Sequence, residues 1–257
     1  RVNFGAEDGA NYLLQVAAPS ADSNVDGIRQ FVQPFNYTSL VPAGFAAAAA
    51  TAFVSDADFN AGGGAVASFA RSVNIDYENN ASGYANKITY LTPVFSGFQA
   101  GVSYTPDASS GNDFGGNNIG NTAGENAEFL EGAVRWEGDF EGVGIAFGGG
   151  YTAGNLEAAA AGTDDRAQWN AGLDLDFAGF GFGAAYTEDN YGRDDSVAGQ
   201  DDEETLVVGA DFTTGNFKIG ASYLTVDNTF GVTDIDTNRY TGGVVYTYGP
   251  GMTFRGS

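Results

Sequence analysis

Segments in which apolar and polar residues alternate recur along most of this chain. The run Phe217–Tyr223 shows the pattern, with an apolar side chain at every second position and Lys218, Gly220 and Ser222 between them. Side chains point to opposite faces along a β-strand, so such a segment has one apolar face and one polar face. The pattern predicts strands that separate an apolar environment from a polar one.

The predicted strands have the length of membrane-crossing strands. Each has roughly 8–12 residues, close to the ~9–11 that a tilted strand needs to cross a bilayer. Strands of soluble sandwiches more often have about 5–6 residues. The nine complete segments are Tyr84–Thr92, Phe98–Thr105, Ala127–Glu137, Val143–Thr152, Ala167–Phe177, Phe180–Thr187, Glu203–Thr213, Asn216–Asp227 and Asn238–Tyr248.

Short and long connections alternate between these strands. Tight periplasmic turns on one side and long external loops on the other are typical of outer-membrane barrels. We therefore predict an all-β fold, a transmembrane antiparallel β-barrel that is apolar outside and polar inside. A soluble up-and-down barrel, with its apolar residues facing inward, is the alternative. The short connections are Pro93–Gly97, Gly138–Gly142, Ala178–Gly179, Thr214–Gly215 and Gly249–Gly251; the long ones are Pro106–Asn126, Ala153–Arg166, Glu188–Asp202 and Asn228–Thr237.

One segment, Ala6–Gly83, breaks this rhythm. It follows a strand end at Arg1–Gly5 and is much longer than the ~12–15 residues of most structureless connections. We expect a functional loop with structure of its own. Within it, Val41–Val54 is too short for the ~18 residues of a membrane helix and predicts a short helix or a packed segment.

Composition excludes several classes of function. The chain of 257 residues has no Cys and no His, and its formal net charge is −23. Without His it lacks the commonest general base, so an enzyme is not expected. A nucleic-acid surface needs clustered Lys and Arg. The acidity predicts either solvated loops or a pore that prefers cations.

Aromatic residues occur at two levels on the apolar face. Phenylalanine follows the short turns, and tyrosine precedes the long loops, as in the two aromatic girdles of a membrane barrel. A sandwich core rich in aromatic residues is the alternative. The girdle candidates are Phe98, Tyr104, Phe180, Tyr186, Phe217 and Tyr223.

The run Asn86–Tyr104 contains the sequence Tyr-Leu-Thr-Pro-Val-Phe-Ser-Gly-Phe at Tyr90–Phe98. It resembles the strand–turn–strand that follows the constriction loop in Gram-negative general-diffusion porins, most closely those of the alphaproteobacterial type. The resemblance implies sixteen strands in each barrel, a homotrimer in the outer membrane in contact with lipopolysaccharide, and a third external loop folded into the lumen. It implies that residues 6–83 are this constriction loop and residues 84–257 successive hairpins. The whole chain, residues 1–257, would then be an internal portion of one barrel domain.

The resemblance also implies a transverse field between acidic loop residues and basic wall residues. Pairing of the loop acids with Arg29 and Arg71, or plain solvation, is the alternative for these residues. Alternation on the strand places Asp174 and Asp176 on the polar face, and it does the same for Glu131. The pore-lining candidates are Glu7, Asp8, Asp22, Asp26, Arg29, Asp56, Asp58, Arg71, Lys87, Arg135, Asp174 and Asp176.

Two acidic clusters in the later loops have the oxygen ligands that Ca²⁺ prefers, but not EF-hand spacing. Solvated loops are the favoured interpretation, and no cofactor is expected. The weak Ca²⁺ candidates are Asp189, Asp194, Asp195, Asp201 and Asp202.

The sequence predicts a passive diffusion channel for small hydrophilic solutes and ions. A substrate-specific channel and a membrane-anchored structural or adhesion barrel are alternatives. A soluble carbohydrate-binding or Ca²⁺-dependent all-β protein is a further one.

Overall fold

The strands form a single antiparallel sheet in which each strand pairs with its neighbours in sequence. The computed structural model describes residues 1–19, 77, 79–108, 123–197, 200–230 and 233–256. Within them lies one short helix, α1 (Ala10–Leu14), and no helix long and apolar enough to cross a membrane. The strands are β1 (Val2–Ala6), β2 (Asn86–Leu91), β3 (Phe98–Asp107), β4 (Asn126–Phe140), β5 (Val143–Leu156), β6 (Arg166–Phe177), β7 (Phe180–Asp189), β8 (Glu203–Thr214), β9 (Phe217–Phe230), β10 (Thr233–Gly249) and β11 (Met252–Gly256).

The nine predicted strands correspond to β2–β10, and several extend further than the alternation does. Strand β5 ends at Leu156 instead of Thr152, and β10 begins at Thr233 instead of Asn238. Backbone pairing continues there, for example between Leu156 and Asn126. Alternation of apolar and polar residues is needed only where one face of the strand contacts lipid. Backbone pairing has no such requirement, so the strands extend beyond the alternating residues.

Two-residue turns close the short-connection end of the sheet. At Ala178–Gly179, φ is 51° and 86°, and at Glu141–Gly142 it is 52° and 85°. Positive φ at both central residues defines the type I′ turn, whose twist matches that of the flanking strands. Glycine at the second position adopts this conformation without steric cost, which explains the repeated X-Gly sequence.

The outward face of the sheet is apolar, as predicted. Phe98, Trp136 and Phe147 are opposite one another on β3, β4 and β5, and their side chains are in contact. The same face carries exposed Val134, Leu173, Phe182, Val208 and Ile219. This is the lipid-facing surface of a transmembrane β-barrel.

The opposite face is mostly polar, as predicted, but it also has one apolar patch. Leu224 and Val226 on β9 and Val207 on β8 point to this inner face and are buried. Ala17, Ala18 and Tyr77 from the long connection after β1 pack against them. The inner face is apolar here because polypeptide, not water, covers it.

Candidate channel constriction

The chain that follows β1 crosses the inner face of the sheet and is anchored there from its first turn. Helix α1 has no side-chain N-cap of its own. Instead, the amide of Ala10 donates to Ser103 Oγ at 2.7 Å, and the amide of Asn11 donates to Glu131 Oε2 at 3.2 Å. Strands β3 and β4 thus satisfy amides that a helix start leaves without partners.

The far end of the same connection meets the same carboxylate. Ser82 Oγ donates to Glu131 Oε1. Lys87 Nζ donates to Ser82 Oγ at 2.7 Å and to the carbonyl of Gly83 at 2.6 Å. Glu131 and Lys87 are 1% and 2% exposed. Glu131 therefore joins both ends of the long connection to the wall.

Side-chain amides continue this attachment across the next strands. Asn11 Nδ2 donates to Thr152 Oγ1 on β5 at 3.0 Å, and Asn170 Nδ2 on β6 donates to Asn11 Oδ1. Asn79 Nδ2 donates to Gln15 Oε1 at 2.7 Å, so the beginning and end of the connection contact each other directly. The inner polar residues of β5 and β6 thus serve as attachment points for this segment.

Arg135 holds the chain just beyond α1. Its Nη1 donates to the carbonyl of Gln15 at 3.0 Å, and its Nε donates to Glu137 Oε1 at 2.8 Å. The carboxylate of Glu137 orients the guanidinium, and the guanidinium binds the loop backbone. Arg135 therefore combines charge on the inner face with a direct contact to the loop.

The other predicted pore-lining residues fall into three groups. Asp174 and Asp176 on β6 lie on the same inner face as Arg135. Their partners on the neighbouring strand β5 are Ala146 and Gly144, which also lie on that face. Before α1, Asp8 Oδ1 accepts a hydrogen bond from Asn80 Nδ2 at 3.2 Å, and Glu7 lies beside it. Outside the described residues lie Asp22, Asp26, Arg29, Asp56, Asp58 and Arg71.

Sequence reasoning missed the residues that attach the loop. Glu131 falls on the polar face in the alternation, but nothing in its neighbourhood marks it as an anchor. Asn11, Gln15 and Asn79 lie in a segment without periodicity, so no pattern singles them out. Their partners are 64 to 159 residues away in sequence.

At the long-loop end of the sheet, a second polar cluster surrounds the ion pair between Arg166 and Asp189. The guanidinium makes two hydrogen bonds to this carboxylate, at 2.6 and 3.1 Å, and lies 4.8 Å from the centre of the Tyr191 ring. Tyr191 donates to Glu203 Oε1 at 2.9 Å. Burial, together with the nearby carboxylates of Glu203 and Asp189, raises the pKa of Tyr191 well above its ordinary value. This cluster ties two of the long connections together.

The possible Ca²⁺ site is not supported by the described residues, in which no three acidic side chains are placed to share a metal. Asp189 is committed to Arg166, and Asp194 Oδ1 accepts from the hydroxyl of Ser196 at 2.5 Å. Asp195, Asp201 and Asp202 do not complete a ligand set with them. Partial burial, with Glu188 nearby, raises the pKa of Asp202.

The predicted aromatic residues lie on the outward face in two groups. Near the short turns, Phe180 contacts Phe212 and Phe217 contacts Tyr246, with ring centres 4.4 and 4.7 Å apart. Near the long loops, Tyr186 contacts Trp169 and Tyr223 contacts Tyr240, at 5.1 and 4.9 Å. Phe98 belongs to the first group, and Tyr104 is exposed on the outward face of β3.

The sequence matches the family described as Gram-negative porin over residues 2–257. The chain belongs to the Gram-negative porin family. Membership of this family places it in the outer membrane.

Two solved structures resemble this porin. The anion-selective porin from Comamonas acidovorans is 21% identical with a TM-score of 0.45, over 64% of this chain and 45% of that one. Outer-membrane expressed OmpT of Vibrio cholerae is 15% identical with a TM-score of 0.42, over 64% of this chain and 50% of that one. This porin chain therefore spans about half the length of these solved relatives. No curated relative matches it.

Proposed function

We propose that this porin forms a water-filled channel for passive diffusion of small hydrophilic solutes and ions, with the 6–83 connection as its constriction loop. The attachment of residues 10–19 to the inner face, opposite the lipid-facing surface, carries the proposal. A loop held there reduces the open cross-section without closing it, and pore width, charge and water then set the permeability. The porin resemblance supports assembly as a homotrimer in contact with lipopolysaccharide.

We propose a preference for cations. The formal net charge is −23, and basic residues on the inner face have acidic neighbours. Arg135 pairs with Glu137, and Lys218 Nζ lies 2.7 Å from Asp211 Oδ2. The inner face of β6 adds Asp174 and Asp176. An excess of carboxylates along the path raises the local concentration of cations.

Conductance measurements on planar bilayers containing the full-length protein test both the diffusion channel and its preference for cations. We expect stable ohmic steps and a reversal potential, in a KCl gradient, on the cation-selective side. Absence of conductance from folded protein would favour a structural barrel with a closed lumen. Conductance that one class of solute blocks at low concentration would favour a substrate-specific channel. Clear anion selectivity would reject the cation preference alone.

A further inference from the structure

Glycines on four consecutive strands lie beneath the loop as it crosses the inner face. They are Gly148 on β5, Gly172 on β6, Gly183 on β7 and Gly209 on β8. Gly148 is directly opposite Gly172, and Gly183 is directly opposite Gly209. The two pairs are offset by one inward-facing position, because Gly172 is opposite Ala185. Together they form a diagonal row, which we call the glycine groove.

The loop segment Leu14–Pro19 lies along this groove. Leu14 and Val16 lie over Gly148, Val16 over Gly172, and Pro19 over Gly183 and Gly209. Crossing from β5 to β8 covers three strand spacings, about 14 Å. Five extended residues span up to about 17 Å. The segment thus advances by slightly more than one strand spacing for every two residues, as an extended backbone can.

Contact in the groove is between backbones. A methyl group added to Gly172 would overlap the carbonyl oxygen of Val16, and one added to Gly209 would overlap the carbonyl oxygen of Pro19. At both positions the nearest atoms belong to the loop, whereas at Gly183 a wall carbonyl, that of Leu173, is as close as Pro19, at 2.6 Å. Gly172 and Gly209 are therefore the positions where side-chain volume acts directly on the loop.

We infer that Gly172 and Gly209 set the depth at which the constriction loop lies against the wall, and thereby the bore and size selectivity of the channel. This inference rests on the proposed diffusion function. An alanine methyl group would lie 1.9 Å from the carbonyl oxygen of Val16 at Gly172, or 2.1 Å from that of Pro19 at Gly209. It therefore pushes the loop backbone away from the wall by about 1.5 Å, to ordinary van der Waals distance. The loop can move only toward the lumen, so the open cross-section decreases.

Single-channel conductance of full-length Gly172→Ala and Gly209→Ala tests the inference. We expect conductance to fall roughly 1.5-fold in each, with a larger fall in the permeation rate of larger sugars. Gly132→Ala is the matched control, because Gly132 is also a mid-strand glycine and a methyl group there meets nothing within 4 Å. Wild-type conductance in all three variants would overturn the inference. Absence of conductance from the folded wild-type protein would instead reject the proposed function.

A thiol probe reports the loop position independently of conductance. The chain has no Cys, and Val16 is 3% exposed, so Val16→Cys introduces a single buried thiol on the groove. We expect a water-soluble maleimide to label it slowly, relative to Glu141→Cys in the exposed turn, and several-fold faster when Gly209→Ala is added. Rapid labelling of Val16→Cys with all glycines intact would overturn the inference, even if neither alanine variant folds.

Discussion

The carboxylate of Glu131 accepts a hydrogen bond from the backbone amide of Asn11 at 3.2 Å, 120 residues away in sequence. The same carboxylate accepts from Ser82, whose hydroxyl also accepts from Lys87. One buried acidic group on β4 thus secures both ends of the long connection between β1 and β2.

Replacement of Glu131 should destabilise this attachment. Glu131→Ala leaves the buried Lys87 ammonium without the carboxylate to which Ser82 links it, and we expect the free energy of unfolding to fall by about 3 kcal/mol. Denaturant unfolding of the protein refolded in lipid vesicles measures it. Glu141→Ala, which removes an exposed acidic group in a turn, should change it by less than about 0.5 kcal/mol. Equal effects of the two variants would contradict the role of Glu131.

Two ion pairs on the inner face should differ in coupling energy. The side chains of Arg166 and Asp189 are 14% and 2% exposed, and those of Arg135 and Glu137 are 31% and 57% exposed. Double-mutant cycles to alanine should give about 2–3 kcal/mol for the first pair and less than about 1 kcal/mol for the second. Coupling that disappears in 1 M salt for the buried pair would contradict its shielding from solvent.

Tyr191 should make the protein sensitive to alkali. Its folded-state pKa is raised, so the folded protein retains a proton that the unfolded chain loses near pH 10. The stability due to the neutral phenol is complete below that pH and falls as the pH rises toward the folded-state pKa. Tyr191→Phe should reduce this loss above pH 10, and it should cost about 1 kcal/mol at pH 7 through the lost hydrogen bond to Glu203.

Unfolding free energies at pH 7 and pH 10.5, compared between the wild type and Tyr191→Phe, test this dependence. Tyr248→Phe provides the control, because Tyr248 is 64% exposed. The same alkaline loss in both variants would assign the sensitivity to other groups.

The two tryptophans can locate the sheet in the bilayer. Trp136 Nε1 donates to Ser96 in a short turn at 3.1 Å, whereas Trp169 contacts Tyr186 near the long loops. Indoles prefer the interface, so both should be quenched more by lipids brominated near the headgroup than by lipids brominated near the chain ends. Trp136→Phe and Trp169→Phe each leave one reporter. Stronger quenching by the deep label for either residue would contradict the girdle assignment.

Strand positions and orientation could be predicted because they follow from local chemistry. Phe217, Ile219 and Tyr223 alternate with Lys218 and Ser222, and that alternation assigns each residue to a face before any partner strand is known. The turn at Ala178–Gly179 could also be predicted from the sequence, since positive φ favours glycine at the second position.

The loop attachment could not be predicted in this way. Val207 and Leu224 are apolar residues on the polar inner face, and Ala17 and Ala18 cover them. No residue near Val207 or Leu224 in sequence predicts this contact. The glycines of β5–β8 are equally compatible with close packing against another subunit. Only the crossing of Leu14–Pro19 assigns Gly148, Gly172 and Gly209 to the loop.

The sequence by itself determined a membrane sheet with one apolar and one polar face, because alternation and turn chemistry act within a few residues. The tertiary structure decided which polar residues hold the loop. Asn11 meets Asn170 and Glu131 only after the strands between them have paired and the chain has folded back across them. Contacts between residues so distant in sequence depend on register and burial, which no short segment encodes alone.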